Sequence, residues 1–179
     1  MPNLRLIPAD PSLAEQTAAY YRRNRDFLRE FEPVREEAFF SVPCQRELLA
    51  KEALAFREKT AFRFYLELPE NPGEIIGVIG LSNVVWDAFC SAFLGYKLDR
   101  RFLNRGYMTE AAGLLVRYAF EDLHLHRIEA NVMPRNKASL RVLEKNRFVN
   151  EGLSPSYLKI NGIWEDHIHM VKLNTALHT

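Results

Sequence analysis

At 179 residues and 20.8 kDa, with 47% hydrophobic and 12% aromatic residues, the chain has the size of one domain and enough apolar material for one core. Its 24 Lys+Arg nearly balance 23 Asp+Glu, a formal net charge of +1, so the bulk charge asks for neither nucleic acid nor an anionic membrane, and any anion site must be local. Residues 1–8 lack the apolar run of a signal peptide, the most apolar stretch, 75–81, is too short to span a bilayer, and Cys44 and Cys90 read as two small buried hydrophobes of a reduced, cytoplasmic protein.

Along the chain, residues 4–7 read as a short opening strand, and a helix follows from about Ser12, a candidate N-cap, to Phe31, where Glu32-Pro33 ends it. A second helix, about 46–59, carries Leu48, Leu49, Ala53 and Phe56 on one face. Residues 62–68 and 74–81 are two strands joined as a hairpin by the turn 69–73. Residues 92–98, rich in aromatic and aliphatic side chains, form a buried strand.

The most informative segment comes next. Arg101 to Ala111 links that strand to an amphipathic helix with Met108, Ala111, Ala112, Leu115, Ala119 and Leu123 at helical spacing. The first N–H groups of a helix point outward, its dipole adds positive charge, and Gly106 lets an anion approach without a Cβ in the way. A phosphate is the anion this turn suits, although no Gly-Lys-Ser/Thr follows it and the chain has no Gly-x-Gly-x-x-Gly. Residues 126–132 are a further strand, and Pro134-Arg135-Asn136 leads into a helix through Lys145. Residues 157–160 and 163–173 then pair as a hairpin on Asn161-Gly162. The order is β-α-α-β-β-β-α-β-α-β-β, with no repeat or linker to divide the single domain expected over 1–179.

This order, with a phosphate turn after the fourth strand and a helix opening at Asn136 after the fifth, resembles the GCN5-related N-acetyltransferase superfamily. Asn24 to Leu28, Glu32-Pro33-Val34-Arg35, Ser82-Asn83-Val84-Val85, His124 to Asn131, Met133 to Lys137 and Gly162 to His167 look like its bacterial ribosomal-protein alanine N-acetyltransferase subgroup. The superfamily turn reads Arg/Gln-x-x-Gly-x-Gly/Ala; Arg101 and Gly106 fit, while Asn104 stands at the first glycine. Asn tolerates a left-handed backbone and can cap a helix, and cofactor affinity is the quantity this departure touches.

The resemblance implies an α+β fold whose mixed, mostly antiparallel sheet splays between its fourth and fifth strands and is flanked by helices. It implies acetyl-CoA as cosubstrate, with the pyrophosphate on the turn (Arg101, Asn104, Arg105, Gly106, Tyr107, Met108, Thr109). The pantetheine arm would lie along Leu94, Gly95, Tyr96, Lys97 and Leu98, near Asn131, Asn136 and Ser139. Arg100, Arg135, Lys137, Arg141 and Lys145 add positive charge nearby, and the N–H of Leu94 or Gly95 is the candidate oxyanion donor. Glu129, Asp166 and Glu165 are candidate bases, and Ser139 or Tyr157 the candidate thiolate acid. The segments 32–35 and 82–85 are candidate walls of the acceptor groove.

An α-amine, with a reference pKa of about 7.7 to 8.0 against about 10.4 for lysine, needs only a modest base. The implied acceptor is therefore a protein N-terminus, a ribosomal protein such as S5 being the first candidate. A small amine (amino acid, polyamine or antibiotic) is the alternative, and a non-catalytic acyl-CoA sensor a third reading; monomer and homodimer both stay open. The pairs His124/His126 and His167/His169 lack a cysteine or carboxylate at a known ligand spacing, so no metal is expected.

Overall fold

The computed structural model describes residues 4–178; residues 1–3 of the opening segment and residue 179 lie outside the described residues. The strands are β1 (Arg5–Pro8), β2 (Phe62–Leu68), β3 (Asn71–Val85), β4 (Ser91–Leu98), β5 (Arg127–Val132), β6 (Val149–Ile160) and β7 (Ile163–Leu173). The helices are α1 (Ala14–Leu28), α2 (Val42–Arg57), α3 (Tyr107–Arg117) and α4 (Lys137–Lys145). The strands form a seven-stranded sheet in the order β1-β2-β3-β4-β5-β7-β6, antiparallel throughout except for the parallel pair β4/β5. This is the mixed, mostly antiparallel sheet expected, in the expected element order.

Local chemistry moves several boundaries. Asp10, not Ser12, caps the first helical segment: its carboxylate accepts the Ser12 N–H at 2.9 Å, Pro11 opens a short 3₁₀ turn, and α1 proper starts at Ala14. α1 also stops three residues before Phe31, in a turn over 29–31. α2 begins earlier than its apolar face indicated, because Ser41 accepts the Cys44 N–H at 3.3 Å and Pro43 sits in the first turn, where its missing N–H costs nothing. The β2–β3 turn is tighter than 69–73, since Leu68 already pairs with Asn71 and a bulge absorbs the extra residues before Ile75. The Asn161-Gly162 hairpin forms as expected, with φ of 50° and 87°. Its strand β6, however, reaches back to Val149. Cys44 and Cys90 are half-buried rather than buried; Cys90 lies just ahead of β4 with φ 44°.

The sheet separates two apolar layers. On one face Leu66, Ile79, Leu81 and Ile128 pack with Leu115 of α3, Leu143 of α4 and Phe148. On the other, Tyr20 and Tyr21 of α1 and Leu49 of α2 cover Tyr65, Ile75 and Val78. α3 presents Met108, Ala111, Ala112 and Leu115 to its layer, all buried, and continues as a π turn, Tyr118–Asp122, that buries Ala119 and leaves Leu123 half-buried.

A gap in the sheet positions the site. β4 and β5 pair only at Ser91↔Arg127, Ala92↔Ile128 and Phe93↔Glu129. Beyond that rung β4 stays on β3 as far as Leu98↔Gly77, and β5 stays on β7 as far as Val132↔Ile168. The strands part after Phe93, and the β5-facing edge of Leu94 to Leu98 is left with unpaired main-chain groups that need a partner.

Candidate active site

The turn leaving β4 is held from below by Asp99, which is 0% exposed. Its carboxylate accepts from the Arg101 N–H at 2.9 Å, from Arg23 Nε at 2.6 Å and from the Arg101 guanidinium at 3.0 and 3.2 Å. Both arginines also face Glu74. Burial pushes the Asp99 carboxyl up, but the hydrogen bonds from Arg101 and Arg23 and the neighbouring Asn24 outweigh it and hold the group well below the usual carboxylate range. Buried Asn24 accepts the Arg100 N–H at 3.0 Å, so α1 and the turn are locked together. Arg101 is thus committed to Asp99 and Glu74, and Arg105 packs against the Phe102 ring at 5.6 Å.

Asn104 takes the left-handed backbone expected of it (φ 60°), but the N-cap of α3 is Gly106 (φ 85°), which offers no side-chain acceptor. The opening N–H groups of α3 therefore point out of the protein uncapped, and with no Cβ at residue 106 an anion can come close.

A cavity of about 550 Å³ runs from this turn through the splay. Its walls come from both faces of the sheet: Phe27, Leu28, Phe31 and Glu32 at the end of α1, Tyr96 to Leu98 of β4, the turn residues Leu103, Asn104 and Gly106 to Thr109, and α4 with its approach, Arg135 to Ser139. Arg141, Val142 and Lys145 complete it. Asn136 caps α4 by accepting the Ser139 N–H at 3.1 Å, which fixes the Ser139 hydroxyl 2.9 Å from the Tyr96 hydroxyl. Burial pushes the Tyr96 phenol up, opposed by its hydrogen bond to Ser139, so it stays protonated at neutral pH. At the far end of α4, Asn146 donates to Val142 O at 2.9 Å and Thr109 O at 3.0 Å, tying α3 and α4 together behind the cavity.

The cavity thus gathers Tyr96, Lys97, Leu98, Asn104, Gly106, Tyr107, Met108, Thr109, Asn136 and Ser139. Leu94 is buried in the core behind it, and Gly95 is exposed on β4. Asn131 lies on β5 with its Oδ1 buried and without a hydrogen-bond partner among the described residues. Of the candidate catalytic groups only Ser139 lines the cavity. Glu129 sits on the last paired rung beside Phe93, bonded to His169 Nδ1 at 2.8 Å and Arg127 at 3.0 Å. Tyr157 packs edge-on against the His169 ring at 4.8 Å between centroids. Exposed Asp166 accepts the Ser156 N–H at 2.8 Å, and Glu165 holds Arg135 in a two-pronged pair at 2.7 and 2.9 Å.

A second pocket of about 210 Å³ shares Leu28 and Glu32 with the first and is lined by Tyr21, Arg25, Arg29, Pro33, Val34, Arg35, Phe39 and Phe40. Segment 82–85 lines neither. Glu32, between the two, accepts from Lys97 Nζ at 2.9 Å. The β6–β7 tip closes over this region: Asn161 accepts the Val34 N–H at 2.8 Å and donates to Arg29 O and Glu32 O, each at 3.2 Å. Sequence reasoning missed the Tyr96 hydroxyl, the Lys97–Glu32 pair, His169 and this clasp, because each joins residues far apart in the chain with no local spacing to betray it.

A splayed parallel pair with an uncapped helix at its mouth invites comparison with known proteins. The family model of the acetyltransferase (GNAT) domain matches residues 3–149. The chain belongs to the GNAT acetyltransferase family. It is 38% identical over 167 residues to the probable N-acetyltransferase YjcK of Bacillus subtilis, covering 93% of this chain and 92% of that protein. It is 39% identical over 155 residues to the [ribosomal protein uS5]-alanine N-acetyltransferase of Escherichia coli, covering 87% and 79%. Among solved structures, Mycobacterium smegmatis RimJ in complex with CoA-disulfide superposes with a TM-score of 0.87 at 25% identity, covering 99% of this chain and 90% of that one.

This GNAT protein is accordingly an N-acetyltransferase, and acetyl-CoA is its cosubstrate. The residues fit that group: an unpaired β4 edge for the amide-bearing arm, uncapped α3 amides for the diphosphate, and an orphaned Asn131 oxygen beside the gap. Among the described residues no cluster of three His, Cys, Asp or Glu is placed to hold a metal ion, and no helix is long and apolar enough to cross a membrane.

Proposed function

We propose that this acetyltransferase acts on the N-terminal α-amine of a protein by direct attack in a ternary complex, with the N-terminal alanine of ribosomal protein S5 as the first acceptor to test. The observation that carries the reading is the cavity passing through the sheet, which has the uncapped α3 amides at one end and is joined at Leu28 and Glu32 to a narrower pocket suited to one extended peptide end. The 39% identity to the uS5-alanine enzyme supports the choice of acceptor.

Acetyl-CoA supplies an activated thioester. The β4 edge pairs with the arm's amides, the α3 amides hold the diphosphate, and Arg135, Lys137, Arg141 and Lys145 add positive charge. A thioester held where β4 and β5 close up would lie beside Phe93 and Glu129, where a main-chain N–H at Leu94 or Gly95 would stabilise negative charge on its carbonyl oxygen. Glu129, on that rung, draws the proton from the amine. The Tyr96–Ser139 hydroxyl pair, kept protonated, returns one to the departing thiolate. Asp166 and Tyr157, turned to local contacts, take no direct part. We further take residues 1–179 as one cytoplasmic catalytic domain, acting as a monomer or homodimer.

Intact-mass measurement of ribosomal proteins from a deletion strain tests the acceptor: S5 should lose one acetyl group. If no ribosomal protein changes mass while small amines accelerate thiol release from acetyl-CoA, the small-molecule reading replaces this one. If CoA binds and no acceptor accelerates release, the chain is a sensor.

A further inference from the structure

The narrower pocket beside the cavity carries an unbalanced charge. Its walls include three guanidiniums, Arg25, Arg29 and Arg35, against one carboxylate, Glu32, which already accepts from Lys97 Nζ at 2.9 Å. The other acids of the same stretch, Asp26, Glu30 and Glu36, do not line it. Arg25 and Leu28 share one face of α1 by helical spacing, and Arg29 and Glu32 continue that face past the helix end, so the positive wall follows from the fold.

These guanidiniums are arranged to receive an anion. Arg25 Cζ lies 4.5 Å from the centroid of the Phe40 ring, and Arg35 Cζ lies 4.9 Å from that of Phe39. An arginine held over a ring keeps N–H groups free for a two-pronged bond to a carboxylate. The Arg29 side chain makes no hydrogen bond or ion pair among the described residues. Arg25 pairs with Glu37 at 2.8 Å, but the Glu37 side chain is 79% exposed, and a surface pair of this kind is weak enough for an incoming acid to displace. Arg35 stands 3.9 Å from Glu32, beyond hydrogen-bond reach.

The main chain that presents these groups is pinned in advance. Asn161 accepts the Val34 N–H and donates to Arg29 O and Glu32 O, so the loop between Arg29 and Arg35 is ordered before an acceptor arrives and binding there loses little conformational freedom. Lys97, bound to Glu32, lies three residues beyond Leu94 on β4, about 10 Å along the strand. An extended peptide covers the same distance in about three residues.

We propose that this pocket selects acceptors by charge: the carboxylate of an Asp or Glu at about the third to fifth residue of the acceptor peptide docks on Arg25, Arg29 and Arg35. The inference rests on the reading of the chain as a protein N-terminal acetyltransferase and names which N-termini it takes. A lysine at the same place meets three like charges and is rejected.

The test uses the full-length enzyme, acetyl-CoA and short peptides that begin with alanine and carry a single Glu, Gln or Lys, scanned along the residues that follow. Glu near the fourth position should raise kcat/KM at least about tenfold over Gln, chiefly through KM, and Lys should fall below Gln. The preference should shrink at high salt. Arg29→Glu should reverse it, so that Lys is favoured, while CoA affinity by calorimetry stays within about twofold and reports that the variant is folded. Should R29E not bind CoA, the R25Q/R35Q double variant is read in the same way, by the Glu-to-Gln ratio falling towards one. An R29E variant that keeps the glutamate preference overturns the proposal. Free aspartate or glutamate turned over faster than any peptide also overturns it, by assigning the pocket to a small amino acid. An enzyme that acetylates none of the peptides refutes the N-terminal reading itself, and the pocket assignment falls with it, whereas one that acetylates the Glu, Gln and Lys peptides alike refutes the charge selection alone.

Discussion

Replacing Asp99 with Asn tests whether the phosphate turn is held from below by one buried charge. The Asp99 side chain is 1% exposed, while Arg23 and Arg101 are 28% and 51% exposed. The asparagine keeps one acceptor oxygen but leaves Arg23 and Arg101 without their anion. Breaking a buried pair in this way costs roughly 3 to 5 kcal/mol, and the half-exposed Arg101 recovers part of that from water, so about 3 kcal/mol is expected. In a domain of this size that is about 6 to 12 °C in Tm. The Asp99 carboxyl titrates below its unfolded value near 3.9, so its contribution is complete above about pH 4 and fades as pH falls further. Urea unfolding of both proteins at pH 7 and at pH 3 should show a gap of about 3 kcal/mol that narrows in acid. A gap below about 1 kcal/mol at pH 7, or one that does not change with pH, would show that Asp99 does not hold the turn.

Gly106→Ala forces a Cβ onto a residue at φ 85°, at a cost of about 1 to 2 kcal/mol, and places a methyl where we propose that the diphosphate approaches. Calorimetry should find CoA affinity reduced at least tenfold, and unchanged affinity would exclude the turn from the binding site. Asn136→Ala removes the acceptor for the Ser139 N–H and should lower stability by about 1 kcal/mol in urea unfolding, with a matching loss of CoA affinity. Tyr96→Phe deletes the hydroxyl that meets Ser139 at 2.9 Å; kcat should drop at least tenfold with CoA affinity intact, and an unchanged kcat would leave Ser139 as the sole acid.

Periodicity and turn chemistry made the element order legible, because α3 buries Met108, Ala111, Ala112 and Leu115 at helical spacing and Asn161-Gly162 can only be a tight turn. Boundaries shifted where a side chain reached a backbone group, as at Asp10 and Ser41. β6 was under-read because its outward residues, among them Val149 at 65% and Leu153 at 53% exposure, break the apolar alternation that marks a half-buried strand. In the site, the left-handed turn after β4 and the Asn136 cap were legible because each is set within a few residues of itself. The Tyr96–Ser139 contact spans 43 residues, His169–Glu129 spans 40 and the Asn161 clasp up to 132, and only the sheet brings such partners together.

We propose that the unpaired β4 edge and the uncapped α3 amides together receive the coenzyme. Residue-resolved amide exchange by NMR, with and without saturating CoA, reads both contacts at once. Alternate amides from Leu94 to Leu98, together with Tyr107 to Thr109, should slow markedly on binding while β1 and β2 stay unchanged. Binding that leaves the β4 and α3 amides exchanging at their free rates would place the coenzyme elsewhere.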